Sequence, residues 1–370
     1  MLVAPPAVIS VPPPPIVSQG QRTEIVAFQP DSLTCGSEPV ASSGLVRPLS
    51  VVSTRYLPAG VEPPAPSYGF TFAIDAQGYA RTIRRDAAAP SGFYVDTSDL
   101  APALAASRFP AGAPRASCSI RYRVSLSPVE TAAMQTVYEL ASRPETTGYL
   151  AAIRDRVRPA GSTCPGEPGQ YRRLNLPAFE RLPRPANGLA WVFLAFDVDR
   201  AGKPGNVRIL GTSGDAGLDR AGVSALLDNR YAPGPGYRGC TYHFFHAGQI
   251  DRPSPALPAD APADNGDEPG CMVDPKSIAA LLDGSAYPRP FSRRRIEGVA
   301  VVSYDTAPWG AVGNARVLAS EPDEAFGSVA RNAFSNARVA ESDQGRRGCV
   351  RRVRFRLPPE PGPGPLRPQR

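Results

Sequence analysis

Few residues in this chain could act as catalytic or metal-ligating groups. The two histidines are His243 and His246. They lie three apart in a strand-like run, and an odd spacing on a strand sends side chains to opposite faces, so they cannot share a metal or form a dyad. Both are expected at a surface or sheet edge. No serine or cysteine sits in a nucleophile elbow, and no phosphate loop or dinucleotide fingerprint occurs. Residues 202–205, around Lys203, read as a turn rather than a phosphate cradle. Asp197 and Asp199 flank that turn and read as turn-forming carboxylates. The chain is expected to be a non-enzyme with no cofactor and no metal.

The informative residues are the six cysteines, Cys35, Cys118, Cys164, Cys240, Cys271 and Cys349. None is in C-x-x-C spacing, which gives no support to a zinc ribbon or a thioredoxin-type pair. Cys118, Cys240 and Cys349 each open a strand-like run, and the other three lie upstream in turns rich in Gly, Pro and Ser. Pairing Cys35 with Cys118, Cys164 with Cys240 and Cys271 with Cys349 gives separations of 83, 76 and 78 residues. A near-constant separation is what a repeated domain with one internal bridge produces. Six reduced, buried thiols would leave that regularity unexplained. Closing a loop of this length stabilises a small domain by about 4–5 kcal/mol in the chain-entropy model. Persistent bridges imply an oxidising compartment.

Between the cysteines of each pair the same elements are expected. In the second pair a buried strand over 189–197 is followed by a turn ending at Gly202, a strand over 206–210, a break at 213–215 and a helix over 218–229. In the third the strands are 298–304 and 314–318, with Pro308, Trp309 and Gly310 in the turn and a helix over 324–336. In the first they are 69–74 and 79–84, followed by a short helix from Ser98, its expected N-cap, to Ser107. The expected fold is α+β: three tandem two-layer domains, each a small antiparallel β-β-α-β sheet with helices on one face. The boundaries read as a Pro-rich disordered segment at 1–32, repeats at 33–126, 161–248 and 270–358, a helical connector at 127–160, a Pro/Ala/Asp linker at 249–269 and a disordered tail at 359–370. A further helix is expected over 275–282, and the connector reads as helical over 129–156 with a break at Arg143 and Pro144.

Composition sets the frame. Hydrophobic residues make up 42% of the 370, enough for globular cores, and 44 prolines cluster in the two ends and the linker. Those clusters read as extended segments that cannot bury enough apolar surface to offset ordering. The net charge of +7 arises from Ala286 onward, where arginines outnumber acids, which suits an acidic partner or a solvated face. It is not interleaved with aromatics in any nucleic-acid-binding motif. No apolar run is long enough to span a bilayer. The start, broken by Pro5 and Pro6 and lacking a basic region, does not read as a signal peptide. No membrane anchor or export signal is visible, and the bridges alone place the protein outside the cytoplasm.

Some residues resemble a known family, the C-terminal domain of the periplasmic energy transducer TonB. Tyr287 and Pro288, followed by Ile296, Glu297, Gly298 and Val299, look like that family's approach to its first strand. Thr212, Ser213 and Gly214, then Leu218 and Asp219, with Tyr231 and Pro233 after the helix, resemble its break, helix start and helix exit. The resemblance covers the second and third units, and the first keeps the pattern but few motif residues. It implies a periplasmic Gram-negative protein that binds an outer-membrane TonB-dependent transporter, or another envelope protein, by adding a peptide strand to a sheet edge. The expected edge is the last strand of the third unit: Val350, Arg352, Val353, Arg354, Phe355 and Arg356. Val353, Phe355 and Leu357 would point inward, and Arg352, Arg354 and Arg356 outward. The alternative is a scaffold whose units only pack on one another. The family's N-terminal membrane helix has no counterpart here.

Overall fold

The computed structural model describes residues 21–41, 43–56, 66–87, 95–143, 151–165, 171–183, 189–247, 254–274, 276, 278 and 286–357. Its first sheet is built from β1 (Gln21–Cys35), β2 (Glu38–Pro39), β3 (Val51–Tyr56), β4 (Ser67–Ile74) and β5 (Ala80–Arg85), then helix α1 (Leu100–Ala106) and β6 (Arg115–Pro128). The strand order is β2-β1-β6-β4-β5, with β3 also paired to β1. Helices α2 (Met134–Ala141) and α3 (Ala151–Val157) follow. The next part holds β7 (Tyr171–Arg173), β8 (Leu189–Val198), β9 (Pro204–Thr212), α4 (Ala216–Asp228), β10 (Arg230–Tyr231) and β11 (Tyr237–Ala247). Its sheet runs β11-β8-β9, and β10 pairs with β7. The last part holds α5 (Arg289–Arg293), β12 (Gly298–Thr306), β13 (Val312–Glu321), α6 (Glu324–Ser335) and β14 (Arg346–Phe355), with the sheet in the order β13-β12-β14.

One hairpin turn occurs three times. Gly78, Gly202 and Gly310 sit at φ 84°, 82° and 79°, a region open to glycine at no steric cost. Their N–H groups donate to the carbonyls of Asp75, Asp199 and Ala307 at 2.9, 3.0 and 2.9 Å. Their own carbonyls accept from Phe109, Tyr231 and Val339, the chain returning after each helix, at 2.8, 2.9 and 3.0 Å. A Cβ on any of the three would stand 2.1, 2.2 or 2.4 Å from a backbone oxygen of that returning chain, so only glycine fits. A few residues on, Thr82, Asn206 and Asn314 are left-handed at φ 49°, 52° and 51°. Helices α4 and α6 start on aspartate caps, Asp215 accepting from Leu218 N (2.9 Å) and Asp323 from Ala325 N (2.8 Å), which satisfies an otherwise unpaired donor.

Several expectations are corrected. Residues 21–32 are not a loose spacer: they form most of β1, because Ile25, Val26, Phe28 and Leu33 are buried and that burial outweighs Pro30, which falls where the β1–β6 register shifts. The linker expected at 249–269 is not detached where it is described: residues 261–269 lie against β14. Ser98 does not cap α1; the cap position is Asp99, whose carboxylate is committed elsewhere. Helices are not confined to one face of the second sheet. One face packs on α4, and the other on α2, with Tyr138 stacked on Phe193 at 5.0 Å between ring centres. The cluster of α2, α3, Trp191 and Phe193 also takes in Ile25 of β1. The helix expected over 275–282 lies almost wholly outside the described residues.

The first and third sheets do not stand apart. One continuous buried cluster includes Phe70, Ile83 and Leu104 from the first part and Ala300, Phe326 and Phe355 from the third. Two polar contacts cross it. Arg294, 1% exposed, donates through Nε to Asp99 Oδ1 (2.6 Å) and pairs with its other oxygen; Asp99, 4% exposed, also accepts from Leu49 N (2.7 Å). At the second, Thr82 N and Oγ1 donate to the Glu321 carboxylate (2.8 and 2.6 Å), and Ile83 N donates to Pro322 O (2.8 Å). Asp323, next to this contact, is 5% exposed. Burial pushes its pKa up to about 7 against the Ala325 N–H, which lowers it, with Glu324 and Glu321 adding to the rise.

A charge left alone in the interior costs far more than the pair is worth. Asp99→Ala should therefore cost about 3–5 kcal/mol in urea unfolding. The double change Asp99→Leu with Arg294→Met should cost less than Asp99→Ala alone. For Asp323 the folded state keeps a proton that the unfolded chain releases above its ordinary value of 3.8. The associated stability is full below that value and is lost as pH rises through about 7. Melting temperature should fall across that window, and Asp323→Asn, which retains a capping oxygen, should flatten the fall.

Candidate functional site

A peptide can join a sheet only where a strand keeps backbone N–H and C=O groups pointing out of the ladder. In each sheet the strand following the helix is where such an edge could lie, and the alternation of antiparallel pairing identifies its outward groups. The structure resolves three different situations there.

On β6 the position is filled by β1, which pairs antiparallel with it from Glu24 to Cys35 and sets Cys35 opposite Cys118. On β14 it is partly filled by the chain just before Cys271. Asn265 N donates to Val350 O (3.1 Å) and Val350 N donates to Asn265 Oδ1 (2.6 Å). Arg352 N donates to Asp264 Oδ2 (3.0 Å). These bonds show that alternate residues from Gly348 to Arg354 face outward, and among the described residues nothing bonds the outward N–H and C=O of Arg354. On β11 the chain before Cys164 touches only the beginning, Thr163 N donating to Arg238 O (3.0 Å) and Ser162 Oγ to Gly239 O (2.9 Å). Opposite Phe245, Trp191 turns its carbonyl to Ser213 N (2.9 Å) on the far side. Phe245, His243 and Thr241 therefore present their backbone groups outward, again with no bonded partner among the described residues.

The six cysteines are bonded as Cys35–Cys118, Cys164–Cys240 and Cys271–Cys349. In each bridge the upstream cysteine holds the segment that reaches this edge. Val353 and Phe355 are buried beneath α6, Phe355 lying 5.3 Å from the Phe326 ring, and Arg352, Arg354 and Arg356 are exposed. Val350 and Arg352 are the residues already bonded to the preceding segment.

The same carboxylate device braces the start of β11 and of β14. Asp197 accepts from Asn206 Nδ2 (2.9 Å) and Gly239 N (2.8 Å); Asp305 accepts from Asn314 Nδ2 (2.8 Å) and Gly348 N (3.0 Å). Those donors, the asparagine first and the glycine second, hold both carboxyls below the usual range. In the first sheet Ala73 takes the aspartate's place, and Thr82 finds its acceptor in Glu321 instead. Sequence reasoning treated Asp197 as turn chemistry and missed the paired role of Asp305, which the equal nine-residue offset to an asparagine could have signalled.

The histidines stand on opposite faces. His246 packs beside Phe179 (5.3 Å) and His243 beside Phe193 (6.3 Å). His243 is more enclosed than a surface histidine, and burial pulls its pKa down to about 4, so it is neutral at pH 7. Among the described residues no group of three His, Cys, Asp or Glu side chains could hold a metal ion, and no helix is long and apolar enough to cross a membrane. The geometry offers backbone edges on β11 and β14, the second flanked by exposed arginines.

Among curated proteins no sequence matches the chain. Residues 283–357, which carry α5, β12, β13, α6 and β14, match the family model described as the Gram-negative bacterial TonB protein C-terminal.

Proposed function

We propose that this is a non-enzymatic protein of the periplasm, built from three diverged domains of the TonB C-terminal type and binding an outer-membrane transporter or another envelope protein by strand addition. The observation that carries the threefold reading is the recurrence of the whole turn at Gly78, Gly202 and Gly310, each locked by the chain returning from its helix. In each case the strand after the helix lies beside the first strand of the hairpin. Chance would not repeat a forced glycine, a left-handed residue in the second strand and one strand order three times. The bridges and the family match at 283–357 support the compartment.

The binding edge in this reading is Val350, Arg352, Val353, Arg354, Phe355 and Arg356. Its Arg354–Arg356 end is the part not engaged by the preceding segment, and its exposed arginines favour an acidic peptide. The scaffold reading draws on the β1–β6 pairing and on the Asp99–Arg294 contact, which show one edge consumed and two sheets joined internally.

The discriminating experiment is retention from an outer-membrane extract by the immobilised full chain. Proline at an outward edge position removes a donor without touching the ladder to β12. The wild type should retain a TonB-dependent transporter, and Arg354→Pro should lose it. No transporter retained by the wild type would favour the scaffold.

A further inference from the structure

The segment before Cys271 does more than fill space beside β14. It runs antiparallel to the strand: Ala261 and Pro262 lie at Arg352, Asp264 and Asn265 at Arg352 and Val350, and Glu268 at Arg346. The Ala261 and Pro262 carbonyls accept from the Arg352 guanidinium at 3.3 and 2.9 Å. Asp267 pairs with Arg351 at 2.7 Å, Asp264 approaches the same guanidinium at 3.5 Å, and Glu268 pairs with Arg346. Asn265 supplies two of the bonds to the edge backbone and Asp264 the third, and three carboxylates meet the arginines. This is the polarity and chemistry that an added acidic strand would use.

Its hold is shallow. Asp267 keeps 83% of its side-chain exposure and Glu268 keeps 50%. Surface ion pairs of this kind contribute about 0–1 kcal/mol each. The segment offers no large apolar side chain to β14, and prolines at 258, 262 and 269 deny it a regular ladder. By contrast β1, in the corresponding place on β6, buries Val26, Phe28 and Leu33.

We propose that residues 261–268 are a resident, displaceable occupant of the β14 edge, and that the partner of this edge is an extended acidic peptide that takes the same antiparallel register on Arg346, Arg351 and Arg352. The proposal rests on reading β14 as the partner edge and adds what holds that edge in the absence of a partner. Competition between the tethered segment and a peptide in solution would then set the apparent affinity, because the tethered copy has a high effective concentration.

The probe is a fluorescent synthetic peptide with the sequence of residues 259–268, titrated into the full chain and read by anisotropy. Weakening the tethered copy by Asp264→Ala, Asn265→Ala and Asp267→Ala together should tighten peptide binding by about tenfold or more over wild type. The milder pair Asp264→Asn with Asp267→Asn should give a smaller shift of the same sign. Adding Arg351→Glu to the triple variant should undo the gain, and a scrambled peptide of equal charge should bind about tenfold more weakly than the true sequence. Equal binding by wild type and triple variant, no binding by either, equal binding of the scrambled peptide, or a gain that survives Arg351→Glu would each overturn the proposal. No transporter takes part, so this result is independent of whether the extract yields one.

Discussion

A three-stranded sheet with a helix on one face leaves the outward backbone of its last strand without a partner, and the rest of this molecule is arranged around that constraint. Water can satisfy those groups, but an open edge also recruits other strands. The three bridges bear on the problem because each upstream cysteine delivers a piece of chain to the same place. The answers differ by degree. A whole strand, β1, lies on β6; an acidic segment with one asparagine lies on part of β14; two residues touch the start of β11. The graded coverage follows from what precedes each cysteine: an alternating apolar run in the first case, Pro and Asp in the third, and the end of helix α3 in the second.

The second organising feature is the join between the first and third sheets. Arg294 and Asp99 are both nearly inaccessible and satisfy one another, with Leu49 N closing the network. Such a pair adds little net stability over a well-packed apolar contact, but it tolerates no mispairing. Together with Thr82 and Glu321 it ties segments about 200 residues apart into one core. The second sheet sits differently, its back face packed on α2 and α3, which also reach Ile25 of β1. The polypeptide is therefore cross-braced, and the sheet in the middle of the sequence lies outside the core that the first and third sheets share.

Much of this was legible in the sequence where the signal was local. The hairpins announced themselves through apolar runs broken at Gly78, Gly202 and Gly310, and helices α4 and α6 through the chain breaks that precede them, although their aspartate caps were not read. The family resemblance, read over the second and third units, is matched at 283–357, in the third. What escaped was non-local. Nothing near Arg294 separates it from Arg293 and Arg295, since its burial depends on Asp99 far upstream. Ser98 looked the better cap because Asp99's commitment to Arg294 is invisible in sequence. Residues 21–32 read as spacer because Pro30 and the prolines before them masked the buried run Ile25, Val26, Phe28. The acids at 264, 267 and 268 looked like linker composition until the arginines at 346, 351 and 352 were seen to face them.

The central claim, that the three edges are covered to different degrees, is tested most directly by residue-resolved amide hydrogen exchange on the oxidised full chain. A ranking is expected: β6 amides facing β1 exchange only on global opening, Val350 and Arg352 exchange at intermediate rates, and His243 and Phe245 exchange close to freely. Equal protection of all three edges, or protection of His243 and Phe245 as strong as that of β6, would contradict it.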